Sequence, residues 1–245
     1  MTSVAEVDKH GASEASRPTS ARQAREVRIL EAAGVLLARW GYRKTTVDDV
    51  AREAGVGKGT IYLHWKDKTA LFQAAIWHAS RQVTADVMRR VSADPEGGQF
   101  YRLWTHGLVA IYANPLLAAI MSGRTDILRG LVDSLDAGTV SHLFGNSEAQ
   151  IERLQGAGLI RSDLSPRVVT FMISSLKLGI VEASRFAPAV QEPTQGELTD
   201  ALSDLMRRWL APERPPADSE RGKHIMAEWL QQTDAIFDQS ESSEE

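Results

Sequence analysis

Apolar side chains recur every three or four positions over most of this chain, which is the spacing of amphipathic helices. The first stripe begins near Arg22, and its apolar members are Ile29, Ala33, Leu36, Leu37 and Trp40. Gly41 follows the last of them, where the end of a helix favours a residue that tolerates positive φ. The pattern therefore predicts a helix from about Arg22 to Trp40.

Short helical segments follow this first helix. Thr46 and Asp49 have the spacing of a capping box and predict a helix over 47–54 that closes at Gly55. A tight turn at 55–57 leads to a second short helix, predicted over 58–65. Segments this short are not stable alone, so they have to pack against their neighbours.

Every long pattern beyond residue 80 is also helical. The predicted helices lie near 101–112, 147–155, 167–186, 197–210 and 220–237. The segment 167–186 is apolar on nearly every side, so we expect it to be buried in a core or in an oligomer interface. We interpret 220–237 as a helix on its own body, with docking to another protein as the alternative. Without any alternating strand pattern, the sequence predicts an all-α fold.

Composition excludes several kinds of chemistry. The chain has no cysteine, which rules out disulfides, thiolate metal sites and thiol nucleophiles. Its six histidines include no pair at i, i+4, so we expect no metal and no cofactor, and we interpret His106 and His142 as structural. No apolar stretch is long enough to span a bilayer, and the N-terminus has no apolar signal region. We therefore expect a cytoplasmic protein with no membrane partner.

The net charge of −4 hides an asymmetry along the chain. Residues 1–80 carry 12 basic and 9 acidic side chains, whereas residues 81–245 carry 16 and 23. A basic segment on an acidic body indicates a local surface for a polyanion.

Two short helices joined by a glycine turn suit the DNA major groove, which is roughly 12 Å wide and admits one helix presented by another. In this interpretation Ala51 allows close helix approach, Gly55 makes the turn and Ile61 buries the back of the second helix. The side chains expected to face outward are Lys58, Thr60, Tyr62 and His64. The alternative is a helical hairpin with a solvated polar face.

Residues 55–60 also look superficially like a phosphate-binding loop. That motif needs a glycine where Arg52 stands and a serine or threonine where Gly59 stands. No apolar strand precedes the segment, which argues against nucleotide binding.

The residues around this turn resemble a known domain, with agreement at fixed spacing over about 25–72. The run is Gly41-x4-Thr46-x3-Val50-Ala51-x2-Ala54-Gly55-Val56-Gly57-x-Gly59-Thr60-Ile61-Tyr62-x-His64-Trp65-x2-Lys68-x2-Leu71. It strongly resembles the DNA-binding domain of TetR/AcrR-family transcriptional regulators. The resemblance implies an all-α homodimer with an N-terminal helix-turn-helix and a ligand-sensing domain behind it. It also implies that a small molecule releases the operator.

The resemblance further implies roles for individual residues. The recognition helix corresponds to 58–64, Thr46 caps the preceding helix, and Lys68 grips phosphate as it opens the fourth helix. The DNA-contacting set is Thr46, Lys58, Gly59, Thr60, Tyr62, His64 and Lys68. Gly57 replaces the usual Ser or Thr cap and Trp65 replaces the usual Phe, which leaves the DNA sequence that is read unpredicted.

The expected domains follow from these assignments. We expect a flexible arm at 1–21, a DNA-binding domain at 22–80 with its helix-turn-helix at 47–66, a helical ligand-binding and dimerisation domain at 81–212, and a linker, extra helix and acidic tail at 213–245. Arg17, Arg22 and Arg25 add phosphate or minor-groove contacts in this scheme, or else belong to an ordinary solvated arm.

Candidate residues of the second domain fall into two groups. A ligand pocket is expected from Trp104, Leu108, Ile111, Met121, Phe171, Met172 and Ser175, with Lys177 and Arg124 as anchors for an acidic effector. The alternatives are ordinary core residues and solvated or paired charges. A dimer interface is expected from helices 167–186 and 197–210, through Val169, Ile173, Leu202, Leu205 and Trp209.

The function expected on these grounds is that of a homodimeric repressor. Its partners are a palindromic double-stranded DNA operator, a second copy of itself and a small-molecule effector. The alternatives are an activator on the same scaffold, or an enzyme on a helical bundle. The sequence offers the enzyme no paired-carboxylate or Glu-x-x-His motif.

Overall fold

The computed structural model describes residues 16–121, 148–186, 193–214 and 219–242. Within these ranges the chain forms ten α-helices and no β-strand, which confirms the all-α class. The helices are α1 (Ser16–Lys44), α2 (Val47–Ala54), α3 (Lys58–Tyr62), α4 (Lys68–Ala93), α5 (Phe100–Ala113), α6 (Pro115–Met121), α7 (Glu148–Gly156), α8 (Pro166–Phe186), α9 (Gln195–Leu210) and α10 (Ser219–Ser242). None of the described helices is long and apolar enough to cross a membrane.

Helix α1 begins six residues earlier than expected. Its first residue is Ser16, so 16–21 are helical although we expected them in a flexible arm, while 1–15 lie outside the described residues. The helix is interrupted at Gly41, whose φ of 77° confirms the predicted break. The buried Thr45 hydroxyl donates to the Gly41 carbonyl oxygen over 2.9 Å and stabilises the chain just after this break.

The N-terminal helices share one hydrophobic core. Helix α1 packs against α2, α4 and α6, and α2 packs against α3. The core includes Ile29, Leu37, Val50, Ile61 and Phe72, each at most 1% exposed. This burial holds α2 and α3 in place, as their short length requires.

A second core lies among the later helices. Helix α5 packs against α4 and α9, and α7 packs against α8. Its most buried side chains include Ile151, Val169, Ile173 and Met206. Helix α4 contributes to both cores, because Phe72 lies in the first and Val87 and Val91 lie in the second. A displacement of α4 therefore changes the packing of both hydrophobic cores.

A buried polar cluster marks the junction of α4 and α5. Asp94, 8% exposed, accepts a hydrogen bond from Arg102 Nε over 2.6 Å, and His106 Nε2 lies 2.8 Å from the same carboxylate oxygen. Burial would raise the pKa of Asp94, but hydrogen bonds from His106, the Glu96 amide and Arg102 outweigh it and lower the pKa. These contacts give His106 the structural surroundings that we expected.

Helix α10 packs on its own chain. Met226 is fully buried, and the helix contacts α4. At its start the Gly98 amide donates to the Ser219 hydroxyl over 3.0 Å. A Cβ on Gly98 would lie 2.0 Å from the Ser219 carbonyl oxygen, so this approach requires glycine. The first of the two interpretations of this helix is therefore confirmed.

Candidate nucleic-acid interface

A capping box fixes the start of α2. The Thr46 side chain accepts a hydrogen bond from the Asp49 amide over 3.2 Å, and the Thr46 amide donates to the Asp49 carboxylate over 3.0 Å. Hydrogen bonds from the Thr46 hydroxyl and amide lower the pKa of Asp49, so this carboxylate stays ionised. The predicted cap is confirmed. Thr46 itself is exposed at the helix N-terminus, where its predicted contact with phosphate stays open to test.

Gly55 makes the turn between α2 and α3, as predicted, and its backbone is in the left-handed conformation. Gly55 has φ 65° and ψ 39°, and its amide donates back to α2. Behind the turn, Ala51 is 5% exposed and Ile61 is 1% exposed, so both face the core. The small Ala51 side chain allows α2 and α3 to approach closely, and the apolar Ile61 side chain buries the inner side of α3.

The opposite side of α3 faces solvent. Lys58 and Gly59 are exposed, Thr60 is half-buried, and Tyr62 is 48% exposed. Lys58 Nζ lies 2.7 Å from the Asp48 carboxylate on α2, and this contact raises the pKa of Lys58. The helix thus presents the Lys58 cation and the Tyr62 phenol to solvent, with the Thr60 hydroxyl half-buried.

His64 does not face outward as predicted. Helix α3 ends at Tyr62, three residues before the predicted end at Trp65, and His64 lies in the following turn. Its side chain is only 9% exposed, with Nδ1 3.8 Å from the Glu26 carboxylate. Its ring packs beside Trp65 with a centroid distance of 5.2 Å. The imidazole is therefore nearly buried, and we expect His64 to stabilise the domain rather than to contact DNA.

The Lys68 side chain packs against the protein, although it was predicted to bind phosphate. It opens α4, as predicted, but its Nζ lies 4.3 Å from the centroid of the Tyr42 ring. Burial lowers the pKa of Lys68. The half-buried cation therefore keeps only part of its surface for a ligand.

Leu63 is a surface residue that the sequence analysis missed. It is 80% exposed and follows Tyr62 directly. A helical wheel provides a signal that points to it, because a residue two positions after the buried Ile61 lies about 200° away on the opposite side. An exposed leucine beside a tyrosine is an apolar contact point on an otherwise polar surface.

The residues predicted for the ligand pocket do not all face inward. Leu108 is buried, while Trp104, Ile111 and Lys177 are half-buried. Phe171 and Met172 are 70% and 49% exposed and Ser175 is exposed, so these three are not pocket residues in the folded chain. This side of α8 is therefore exposed in the part of the chain that the structure describes. The Met121 side chain and Arg124 lie outside the described residues.

The predicted interface residues also need correction. Val169 and Ile173 are 0% exposed and Leu202 is 5% exposed, so the chain buries them itself. Trp209 packs partly against the second core, and of the five only Leu205 is exposed, at 45%. The apolar side of α8 that remains free carries Val168, Phe171 and Met172 instead.

Comparison with known proteins identifies the N-terminal domain. Residues 29–75 match the model of the family described as bacterial regulatory proteins, tetR family. The match spans α2 and α3 and includes parts of α1 and α4.

Two curated relatives agree over the same region. The uncharacterized HTH-type transcriptional regulator YhgD of Bacillus subtilis is 54% identical over 44 residues, which are 18% of this chain and 23% of YhgD. The HTH-type transcriptional repressor Rv1474c of Mycobacterium tuberculosis is 36% identical over 83 residues, which are 30% of this chain and 43% of Rv1474c. The chain therefore spans about a quarter of the first of these relatives and less than half of the second.

A solved structure extends the likeness of fold to the later helices. The structure of NalD, the secondary repressor of the MexAB-OprM multidrug efflux pump in Pseudomonas aeruginosa, matches with a TM-score of 0.52. The match covers 80% of this chain and 100% of NalD at 21% identity. Residues 29–75 are therefore similar to the helix-turn-helix domain of the tetR family of bacterial regulatory proteins, and the later helices share the fold of NalD.

Proposed function

We propose that this chain is a homodimeric, sequence-specific DNA-binding regulator of transcription, a repressor that a small molecule releases from its operator. The observation that carries the proposal is that α3 has one buried side and one side exposed to solvent. Ile61 is buried behind it, whereas Tyr62 and Leu63 are open to solvent at its end. A short helix held from behind and free in front suits insertion into the major groove.

The open side of α3 offers both kinds of contact that a groove requires. Lys58 and Thr60 supply hydrogen-bond donors for phosphate oxygens or base edges. Tyr62 and Leu63 supply apolar surface for thymine methyl groups and sugars. The exposed N-terminus of α2 at Thr46 adds backbone N–H groups for phosphate.

The exposed apolar side chains of α8 support the proposed dimer. Val168, Phe171, Met172 and Ser175 are exposed at the i, i+3, i+4, i+7 spacing of one helix face, and Leu205 is exposed on α9. Two copies related by a twofold axis would bury this surface against itself. Two copies of α3 would then meet the two halves of a palindrome. We assign the interface to these residues in place of Val169, Ile173 and Leu202.

Release by an effector requires a connection between the two cores, and α4 provides it. A ligand that prefers one arrangement of the second core shifts α4, and with it the position of α3. The name of Rv1474c as a repressor supports repression in this chain. The proposal assigns no enzymatic step to the chain and places it in the cytoplasm, where operator DNA is accessible.

The test is capture of sheared genomic DNA by the purified chain at about 150 mM salt, followed by sequencing. We expect one or a few palindromic sites that the Leu63→Ala and Tyr62→Ala double variant does not enrich. A reporter behind a captured site then separates repression from activation. Absence of enrichment at every salt concentration from about 50 to 300 mM would contradict the proposed function.

A further inference from the structure

Lys177 lies on α8 in a setting that is unusual for a cation. Its Nζ is 5.6 Å from the centroid of the Trp104 ring on α5, and the side chain is half-buried. Among the described residues it has no carboxylate within ion-pair distance, whereas Arg102, Arg153, Arg207 and Arg208 each have one. Burial lowers its pKa to about 8. An ammonium that has lost water and gained only an aromatic ring is poorly compensated.

Two hydroxyl groups lie on the same side of α8 as Lys177. Thr170 and Ser174 precede it by seven and three residues, which places all three on one helical face. The Thr170 hydroxyl is buried, and within the described structure it has no hydrogen-bond partner. Ser174 is half-buried. Among the described residues, this face therefore carries a cation without a carboxylate partner and a buried hydroxyl without a hydrogen-bond partner, and both cost stability when nothing is bound.

Helix α5 has room beside Trp104. Gly107 lies one turn further along the helix and is half-buried, yet no described atom lies within 4 Å of the position that a Cβ would take. Leu108 and Ile111 continue this part of α5 as apolar residues. The Lys177 ammonium of α8 thus lies beside the Trp104 ring, and Gly107 leaves open space on the same helix as that ring.

We propose that Lys177 binds the carboxylate of an amphipathic organic acid, with the Thr170 and Ser174 face beside it and the apolar body of the acid along Trp104, Gly107 and Ile111. A carboxylate supplies the charge that Lys177 lacks and accepts its N–H donors. The apolar body replaces water at the aromatic and aliphatic surface. This inference rests on the proposed function, since it names the chemical class of the effector. A neutral ligand of the same shape leaves Lys177 unpaired and binds more weakly.

The test is isothermal calorimetry with the full-length chain and three acids, decanoate, 4-butylbenzoate and indole-3-butyrate, with decan-1-ol as the neutral match for decanoate. We expect at least one acid to bind the wild-type chain. We expect Lys177→Met to weaken that acid at least tenfold while changing decan-1-ol less than twofold. The matched control is Lys66→Met, which removes an exposed ammonium outside this domain and leaves acid binding as in wild type.

Lys177→Met replaces a buried charge with an apolar side chain of similar length, so it is expected to fold. Binding of no acid to the wild-type chain, or equal binding of an acid to wild type and Lys177→Met, would overturn the inference. The calorimetry contains no DNA, so its result is independent of the genomic capture. Failure of the acid site and failure of the proposed DNA-binding function are therefore distinguishable.

Discussion

The Lys58 ammonium and the Asp48 carboxylate, 2.7 Å apart, join α3 to α2 across the Gly55 turn. Both side chains are largely exposed, so this ion pair contributes little to stability. Its position matters more for binding, because it lies beside the side of α3 that carries Tyr62. In the proposed complex with DNA, we expect Lys58 to exchange the carboxylate for a phosphate and Asp48 to repel the DNA.

Asp48→Asn is expected to tighten binding to any duplex, by about 3- to 10-fold at 50 mM salt, because it removes a negative charge and frees Lys58. Fluorescence anisotropy with a labelled duplex measures the effect. The gain shrinks at about 300 mM salt, since screening weakens contacts between exposed charges. Asp200→Asn on α9 removes an equally exposed carboxylate from the other domain and serves as the control. Weaker binding by Asp48→Asn would place Lys58 away from the DNA.

Tyr62→Ala and Leu63→Ala are each expected to weaken binding to the captured operator by about 1–2 kcal/mol, because apolar contacts to base edges are lost. Binding to a random duplex changes less, since phosphate contacts remain. Val35→Ala removes an apolar side chain of α1 that is 50% exposed and is the control. If both α3 variants bind the operator like the control, α3 does not read the bases.

His64→Ala is expected to act on folding rather than on DNA selectivity. The imidazole is nearly buried beside Trp65 and Glu26, so its removal lowers the free energy of unfolding by about 1–3 kcal/mol. Urea unfolding monitored by tryptophan fluorescence measures this loss. A His64→Ala variant with wild-type stability but an altered preference among operator sequences would show that His64 contacts the DNA.

Phe171→Arg and Leu205→Arg are expected to produce folded monomers, because they place a charge on apolar surface that a second copy would bury. Light scattering gives the mass, and Val35→Arg is the control at a similarly exposed position. Ile173→Ala instead lowers the free energy of unfolding by about 2–4 kcal/mol, since it opens a cavity in the chain's own core. A dimer mass for both arginine variants would remove α8 and α9 from the interface.

The pKa of Lys177, lowered by burial to about 8, gives a pH signature in stability. The unfolded chain holds this proton up to about pH 10.5, so between pH 8 and pH 10.5 it binds more protons than the folded chain. The stability of the wild-type chain therefore gains a contribution as pH rises through this window. Lys177→Met lacks that gain, so we expect its stability to rise less than that of the wild-type chain between pH 7 and pH 9.5. Parallel unfolding curves at pH 7 and pH 9.5 test this, and equal pH dependence in both proteins would contradict it.

Much of this structure was predictable because its signals are local in sequence. Gly41 interrupts α1 and Gly55 ends α2, both with positive φ, and the Thr46 and Asp49 pair starts α2, as their spacing indicated. The burial of Ala51 and Ile61 followed from the helical period of a short segment that has only one side to bury. Local hydrogen bonds and backbone sterics are properties of a few neighbouring residues, so the sequence alone determined these features and the helix-turn-helix that they build.

Tertiary structure decided which side chains point into the core and which point to solvent. The segment 167–186 is apolar on nearly every side. The spacing of its apolar residues therefore did not indicate whether the side with Val169 and Ile173 or the side with Phe171 and Met172 is buried. Packing against the other helices buried the first pair and left the second pair in solvent. His64 packs beside Trp65 and Glu26, and the Lys177 ammonium of α8 lies over the Trp104 ring of α5. The contacts with Glu26 and with Trp104 join residues that are distant in sequence, and burial free energy depends on which surfaces meet rather than on the residue types of one segment.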